Sequence, residues 1–212
     1  MKILVVGAHH DDIELGCAGT LAKFRLEGHK VYGIVLTNSE THYEIKNVHR
    51  PTERALKEGA KAAAIVGYTL LKTPDEFAAN VGELEYTPAY MRYLESLIHK
   101  YNIDTVFTHW QYDMNTDHPA AAKISITAAR HLNRILMYRS NWYQPDRSFN
   151  GTFFSDISKT ITIKKRAIAA YPGEIKRFGR AWIDSFIDAN RTWGYTIGTK
   201  YAEVFEPIRY TL

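Results

Sequence analysis

Short apolar runs alternate with amphipathic segments along the first two-thirds of the chain. Runs of four to six residues rich in valine, isoleucine and leucine are typical of strands buried in a parallel sheet. These runs predict strands at residues 2–7, 31–36, 105–108 and 135–138. Segments with apolar residues three and four positions apart are typical of helices. They predict helices at residues 13–26, 54–66, 88–101 and 118–132.

The regular alternation of strand and helix predicts the fold class. It indicates an α/β protein, a Rossmann-like three-layer sandwich whose mostly parallel sheet is covered by helices on both faces. Gly28 and Gly67 follow the first two helices, where glycine commonly ends a helix. The last third is less regular, with helices predicted at 159–170 and 182–191 and a strand at 201–205. Because neither repeats nor linkers interrupt the sequence, we expect residues 1–212 to form one domain.

The composition narrows the classes of partner and compartment. The net charge is +4, with 24% charged and 45% hydrophobic residues, and this mild excess suits an anionic small molecule about as well as nucleic acid. The single cysteine, Cys17, permits no intrachain disulfide, is typical of a reducing compartment, and is expected to be a small buried residue. The first apolar run is too short for a secretion signal, and no run of ~18 apolar residues occurs. We therefore expect a cytoplasmic protein that neither binds nucleic acid nor inserts into a membrane.

Four side chains able to bind a metal follow the first predicted strand. The strand ends in Ala8, and His9, His10, Asp11 and Asp12 come next. Ligands of open parallel sheets bind beyond the carboxyl ends of the strands, so this segment lies where an active site is expected. The glycines around it lack the G-x-G-x-x-G spacing of a dinucleotide site, which argues against a nicotinamide or flavin enzyme. The alternative is that the two aspartates cap the next helix while the histidines lie in solvent.

A second polar segment follows the strand predicted at 105–108. It runs from His109 to His118, at the start of the next helix, and it includes Asp113, Asn115 and Asp117. Because the carboxyl ends of parallel strands share one edge of the sheet, we expect the two polar segments to meet there. Catalytic zinc sites typically use three His and carboxylate ligands and leave a fourth position for water. The two segments together could supply such a set, whereas a lone histidine would more often be structural.

These two segments resemble the metal motifs of the PIG-L/LmbE-like family of zinc N-deacetylases. The first motif is Ala8-His9-x-Asp11-Asp12-x-Glu14-x-Gly16 followed by Gly19-Thr20, and the second is Asp117-His118. Three further segments are similar to the family's segment after the second strand, its third helix and its closing strand: Leu36-Thr37-Asn38-Ser39-Glu40, Glu58-x3-Ala62-x3-Val66-Gly67 and Tyr201-Ala202-Glu203-x-Phe205. The resemblance covers most of the chain, and the first motif is quite specific.

The resemblance implies a metal site and a general base. One Zn²⁺ per chain, or another divalent metal, would be held by His9, Asp12 and His118. Asp11 would be the general base, since it lies one residue from the ligand Asp12 and can face the same water without binding the metal. A further donor would stabilise the oxyanion of the tetrahedral intermediate.

The identity of that oxyanion donor stays open, and the candidates are Asn115, His109 and Tyr112. Asn115 stands where the family often has a histidine. The other departures from the family's pattern are His10 and Thr116 in place of prolines, and Ala55, next to Arg54, in place of an arginine. These changes leave the metal motif intact and indicate a subgroup with its own substrate.

The activity implied by the resemblance is hydrolysis of an N-acetyl amide on a small sugar-like substrate, such as an N-acetylated amino sugar or nucleotide sugar. Two alternatives stay open: the same chemistry on a non-sugar N-acyl small molecule, and a binding module without catalysis. The family also implies a tendency to form homo-oligomers.

Two groups of residues bear on the substrate. The aromatic residues Trp110, Trp142 and Tyr143 lie in carboxyl-end loops, where they could stack on a sugar ring or pack beneath the loops. Residues 159–180 carry seven basic side chains and one acid, Glu174. This basic segment is either a solvated helix face or a site at the active-site mouth for the phosphates of a nucleotide sugar.

Overall fold

The computed structural model describes residues 1–211, without the side chain of Lys46. In chain order, strands β1 to β9 span Lys2–Gly7, Lys30–Val35, Thr41–Tyr43, Val48–Arg50, Thr69–Leu70, Thr105–His109, Arg134–Tyr138, Phe153–Asp156 and Ala202–Tyr210. Helices α1 to α7 span Asp12–Leu26, Thr52–Val66, Pro88–Tyr101, Asp117–Ala128, Ile161–Ile168, Pro172–Phe178 and Arg180–Thr196. Short 3₁₀ turns occupy Glu44–Lys46 and Asp75–Phe77.

Seven strands form one sheet in the order β5-β2-β1-β6-β7-β9-β8. The first five are parallel to one another, whereas β9 runs antiparallel to both β7 and β8. One core cluster packs α1, α2 and α5 on one face of the sheet, and a second packs α3 and α4 on the other. This arrangement confirms the predicted three-layer α/β fold. Within residues 1–211, no helix is both long and apolar enough to cross a membrane.

The predicted elements all occur, with corrections to their bounds. The helix predicted at 118–132 ends at Ala128, while Leu132, beyond its end, still packs on the core and so extends the apolar pattern. The helix predicted at 182–191 and the strand predicted at 201–205 are both longer, and the helix predicted at 159–170 is shorter. The sequence pattern misses β3, β4, β5, β8 and α6, which have between two and seven residues each.

Helix α1 is held by a buried ion pair contributed from the last third of the chain. Nζ of Lys164 lies 2.6 Å from Oε1 of Glu203 and donates to the carbonyl oxygen of Leu15 at 2.7 Å. The same Glu203 carboxylate accepts the backbone N–H groups of Gly19 and Thr20, in the middle of α1. A buried pair is stabilising only when such further hydrogen bonds satisfy both partners, and here they fix the position of α1 over the sheet.

Candidate active site

Asp12 is the centre of a buried cluster at the carboxyl ends of β1 and β6. It occupies the first turn of α1, where Oδ2 accepts the backbone N–H of His9 at 2.7 Å and Oδ1 accepts the Ser140 hydroxyl at 2.8 Å. Nδ1 of His9 lies 3.3 Å from Oδ2 of Asp12, and Nε2 of His118 lies 3.3 Å from Oδ1. One ligand atom from each of these three residues therefore falls within 4.8 Å of the others.

Each of the two histidines is oriented by a second carboxylate. Nε2 of His9 lies 2.7 Å from Asp117, and Nδ1 of His118 lies 3.2 Å from Asp113. Histidines that bind metals commonly hold their second ring nitrogen against a carboxylate in this way, because it fixes the ring and the tautomer. Among the described residues, the buried Nε2 of His118 has no hydrogen-bond partner. An unpaired nitrogen aimed at a carboxylate and a second imidazole fits the donor set of a divalent metal such as zinc.

The side chain of Asp12 is favoured in its ionised form, the carboxylate, which is the form that binds a cation. Burial acts to raise the pKa of its carboxyl, but the neighbouring imidazole of His118, followed by that of His109, holds that pKa well below its usual range. His109 is fully buried, and its Nε2 lies 3.2 Å from Oδ2 of Asp12 and accepts the backbone N–H of Ala8 at 3.0 Å. The ring of His109 stacks on that of His118, with centroids 4.0 Å apart.

Asp11 lies beside the ligand set in a strained conformation. Its φ of 131° is one that residues other than glycine rarely adopt. Its side chain lines the cavity next to His9 and makes no capping hydrogen bond to α1. Burial, followed by the negative charges of Asp12 and Glu174, raises the pKa of Asp11 well above its usual value. The capping alternative is therefore wrong for Asp11, and His9 and His10 are buried rather than solvated.

The cluster opens into a cavity of about 370 Å³. Several lining residues were not predicted from the sequence: Arg50, Ser140, Asn141, Glu174 and Phe178. Arg50 is 2% exposed, lies 3.4 Å from Glu174 and donates to the carbonyl oxygen of His10 at 3.2 Å. The side-chain amide of Asn141 donates to both oxygens of Asp113. Asn141 follows β7 at the same edge of the sheet, so the reasoning that found the other two loops could have found it.

The three candidate oxyanion donors have different positions. Asn115 lines the cavity, and its Oδ1 accepts the backbone N–H of Asp117 at 3.0 Å, which leaves its NH₂ group as the donor. His109 lies beneath the cavity and does not line it. Tyr112 also lies outside the lining, with its ring against Arg147 and Trp110.

Only some of the predicted aromatic and basic residues line the cavity. Trp142 and Tyr143 line the cavity, whereas Trp110 is buried against Phe149. Of the seven basic residues in 159–180, Arg177 alone lines the cavity, at 3.4 Å from Glu174. Part of the segment therefore lies at the cavity, through Arg177, whereas the other six basic side chains lie outside its lining.

Comparison with known proteins gives a family match and a close fold. Residues 4–129 match the model of the PIG-L family, described as GlcNAc-PI de-N-acetylase. The Escherichia coli (strain K12) protein YaiS, named an uncharacterized deacetylase, is 28% identical over 171 residues, which cover 78% of this chain and 88% of YaiS.

Solved structures agree over the whole length of the sheet and helices. The conserved protein TT1542 from Thermus thermophilus has a TM-score of 0.79 at 25% identity, over 100% of this chain and 96% of that one. The N,N'-diacetylchitobiose deacetylase from Pyrococcus horikoshii, solved with its inhibitor MPG, has a TM-score of 0.79 over 98% of this chain and 83% of its own. At 19% identity, the second likeness shows the fold alone.

Proposed function

We propose that this chain, which belongs to the PIG-L family described as GlcNAc-PI de-N-acetylase, hydrolyses the N-acetyl amide of a small amino sugar with one zinc ion held by His9, Asp12 and His118. Deacetylation is the activity common to the family's description and to the name of YaiS. Our proposal goes beyond this shared activity in four respects: the metal, its ligands, the general base and the substrate class.

The ligand assignment is supported above all by the two tethered histidines on either side of Asp12. When Nε2 of His9 carries the proton and donates it to Asp117, Nδ1 of His9 keeps a free lone pair. When Nδ1 of His118 carries the proton and donates it to Asp113, Nε2 of His118 keeps a free lone pair. Both lone pairs then face the Asp12 carboxylate. A zinc ion held there would supply a Lewis acid for the amide carbonyl and would lower the pKa of a bound water molecule to about 7.

Asp11 is the residue placed to move the proton. It lines the same cavity as the ligands, and its carboxylate accepts a proton from the attacking water and returns it to the leaving nitrogen. Asn115 is our choice as the oxyanion donor, because its Oδ1 is occupied by the backbone and its NH₂ group can serve the cavity.

The cavity suits a neutral sugar better than a phosphate ester. Its volume of about 370 Å³ lies in the range of small-molecule sites. The two cationic side chains of the lining, Arg50 and Arg177, each lie 3.4 Å from Glu174, and Asp11 and Asp12 add further carboxyl groups to the same cavity. The aromatic rings of Trp142 and Trp182 offer an apolar face to a pyranose ring, while the polar floor can bond its hydroxyl groups.

Acetate release from zinc-loaded protein tests the proposal. The substrates are N-acetylglucosamine, its nucleotide diphosphate form and an N-acetyl amino acid, each at low and high salt. We expect turnover of the free sugar, with a kcat/KM at least equal to that of the nucleotide form and insensitive to salt. Asp11→Asn protein, expressed and purified by the same procedure, controls for a contaminating hydrolase. Turnover of the N-acetyl amino acid alone would refute the substrate class, and no turnover of any of the three by metallated protein would refute the sugar deacetylase assignment.

A further inference from the structure

A second cavity lies on the other side of the loop that carries His9 and Asp11. It has a volume of about 450 Å³ and lies at the carboxyl ends of β2 and β5, against α2. Its walls are mainly apolar and include the aliphatic side chains of Val35, Leu56, Leu70 and Leu71. It shares no lining residue with the first cavity.

His10 is the polar group built into this wall. The residue is 5% exposed, and within residues 1–211 its imidazole ring has no hydrogen-bond partner. Its backbone, in contrast, is fixed on both sides, by the Ser39 hydroxyl at 2.9 Å and by Arg50 at 3.2 Å. The ring lines the cavity and its nitrogens are not fully buried, so a ligand in the cavity can hydrogen-bond to this otherwise unpaired imidazole.

The helix behind the ring is shaped to accept it. Gly59 of α2 lies against the imidazole, and a Cβ atom at that position would fall 2.2 Å from Nδ1 of His10. The missing side chain of Gly59 thus leaves the room that the ring occupies at the cavity wall. His10 and Gly59 are matched in shape, so the position of the imidazole is a feature of the packing.

We propose that this second cavity binds a small neutral molecule with a flat apolar body and a hydroxyl group, and that the hydroxyl hydrogen-bonds to His10. The aliphatic walls and the volume fit one or two fused rings. The charged lining residues are one cation and one anion, Lys72 and Asp75, both at the rim, so no net charge favours an ionic ligand. Imidazole can donate to or accept from a hydroxyl.

The occupant would touch the back of the catalytic loop. Along this loop, His9 and Asp11 face the first cavity while His10 faces the second. The two cavities are therefore separated by this loop, and a ligand bound to His10 would lie next to the residues that position the proposed metal ligand His9 and the proposed base Asp11.

The test uses 2-naphthol and its hydroxyl-free counterpart, naphthalene, followed by ¹H–¹⁵N NMR titration of the full chain. We expect 2-naphthol to shift the amide signals of Leu70 and Leu71 and to bind about two- to tenfold more tightly than naphthalene, the range of one hydrogen bond. Ala60→Trp should fill the cavity from the exposed face of α2 and weaken 2-naphthol binding at least about tenfold. Ala64→Trp is the matched control, because Ala64 is exposed on the same helix but does not line the cavity.

His10→Leu isolates the hydrogen bond. This variant should lose the preference for 2-naphthol while binding naphthalene as the wild type does. Equal binding of the two compounds by wild-type protein would overturn the role of His10, and it can be measured even if His10→Leu does not fold. Binding that survives Ala60→Trp, or that shifts only signals of the first cavity, would overturn the site itself.

Discussion

Asp117 and His9 form a hydrogen bond of 2.7 Å between Oδ2 and Nε2 that joins the start of α4 to the loop after β1. Asp117 is itself fixed, because the backbone N–H groups of Gly82 and Leu84 donate to its two oxygens. The orientation of the proposed ligand His9 is therefore set by Asp117, which precedes the proposed ligand His118 in the sequence. The Asp117-His118 pair in the sequence thus contains both a proposed ligand, His118, and the carboxylate that orients the other proposed ligand, His9.

Asp117→Asn should weaken Zn²⁺ binding about 10- to 100-fold, the usual effect of removing a carboxylate that orients a ligand histidine. The measurement is a zinc titration against a chromophoric chelator. Asp104→Asn is the matched control, since Asp104 also accepts a backbone N–H, from Lys2 at 2.9 Å, but at the opposite end of β6. Equal losses in the two variants would mean that Asp117 only supports the fold.

His9→Ala and His118→Ala should each abolish stable metal binding and activity, because each removes one of the three proposed protein ligands. Metal content by mass spectrometry after dialysis, together with acetate release, checks this outcome. His131→Ala serves as the control for loss of an exposed histidine and should keep about one zinc per chain. Full metal occupancy in either site variant would show that the ligands lie elsewhere.

Asp11→Asn should keep its zinc and its fold yet lose about 10²- to 10⁴-fold in kcat, the usual contribution of a general base. Asparagine matches aspartate in size and tolerates unusual positive φ values better than most residues, so the strained loop is preserved. The measurements are kcat, metal content and thermal stability on the same sample. Wild-type turnover in the fully metallated variant would assign the proton transfers to another residue.

Glu14 should make stability fall as the pH rises. Burial raises the pKa of its carboxyl to about 7 in the folded protein, although the hydroxyls of Tyr171 and Tyr68 donate to it at 2.7 and 2.8 Å. The unfolded chain releases the proton near the ordinary value of 4.5, so between about pH 4.5 and 7 the folded state binds more protons and loses stability with rising pH. Above that window the loss is complete and on the order of 3 kcal/mol.

Glu14→Gln should remove this pH dependence. Urea unfolding of metal-free protein from about pH 5 to 8 should give a flatter profile for the variant than for the wild type, with the variant relatively more stable at the alkaline end. Glu85→Gln, at an exposed position, should follow the wild-type profile. A Glu14→Gln profile parallel to that of the wild type would contradict the raised pKa of Glu14.

The hydrophobic pattern predicts elements whose own residues carry the signal. The observed bounds of β1 and α3, Lys2–Gly7 and Pro88–Tyr101, agree with the predicted ones, because a fully buried run and an apolar face of helical period define them. The hairpin of Thr41–Tyr43 and Val48–Arg50 could not be predicted, since each strand has three residues and owes its conformation to pairing with the other. A single hairpin of this kind has no periodicity to detect.

The same distinction applies to the site. The segments that carry Asp12 and His118 were predicted because both follow a recognisable strand at one edge of the sheet. Arg50 and Glu174 were missed, since they lie on β4 and α6, and only the packing of these two short elements against each other brings the ions together. His109 was predicted as a catalytic candidate from its place after β6, but nothing in the sequence tells that its ring points below the cavity.

The ion pair of Lys164 and Glu203 limits how far the chain can be truncated from its C-terminus. Both residues lie beyond 129, the end of the segment that matches the family model, yet they bond α1, whose first residue is Asp12. A fragment that stops near that boundary would also lack Ala167 and Phe205 from the core around α1. We therefore expect the proposed catalytic motif and the C-terminal third to fold together, and a shortened chain to need β9 for a stable α1.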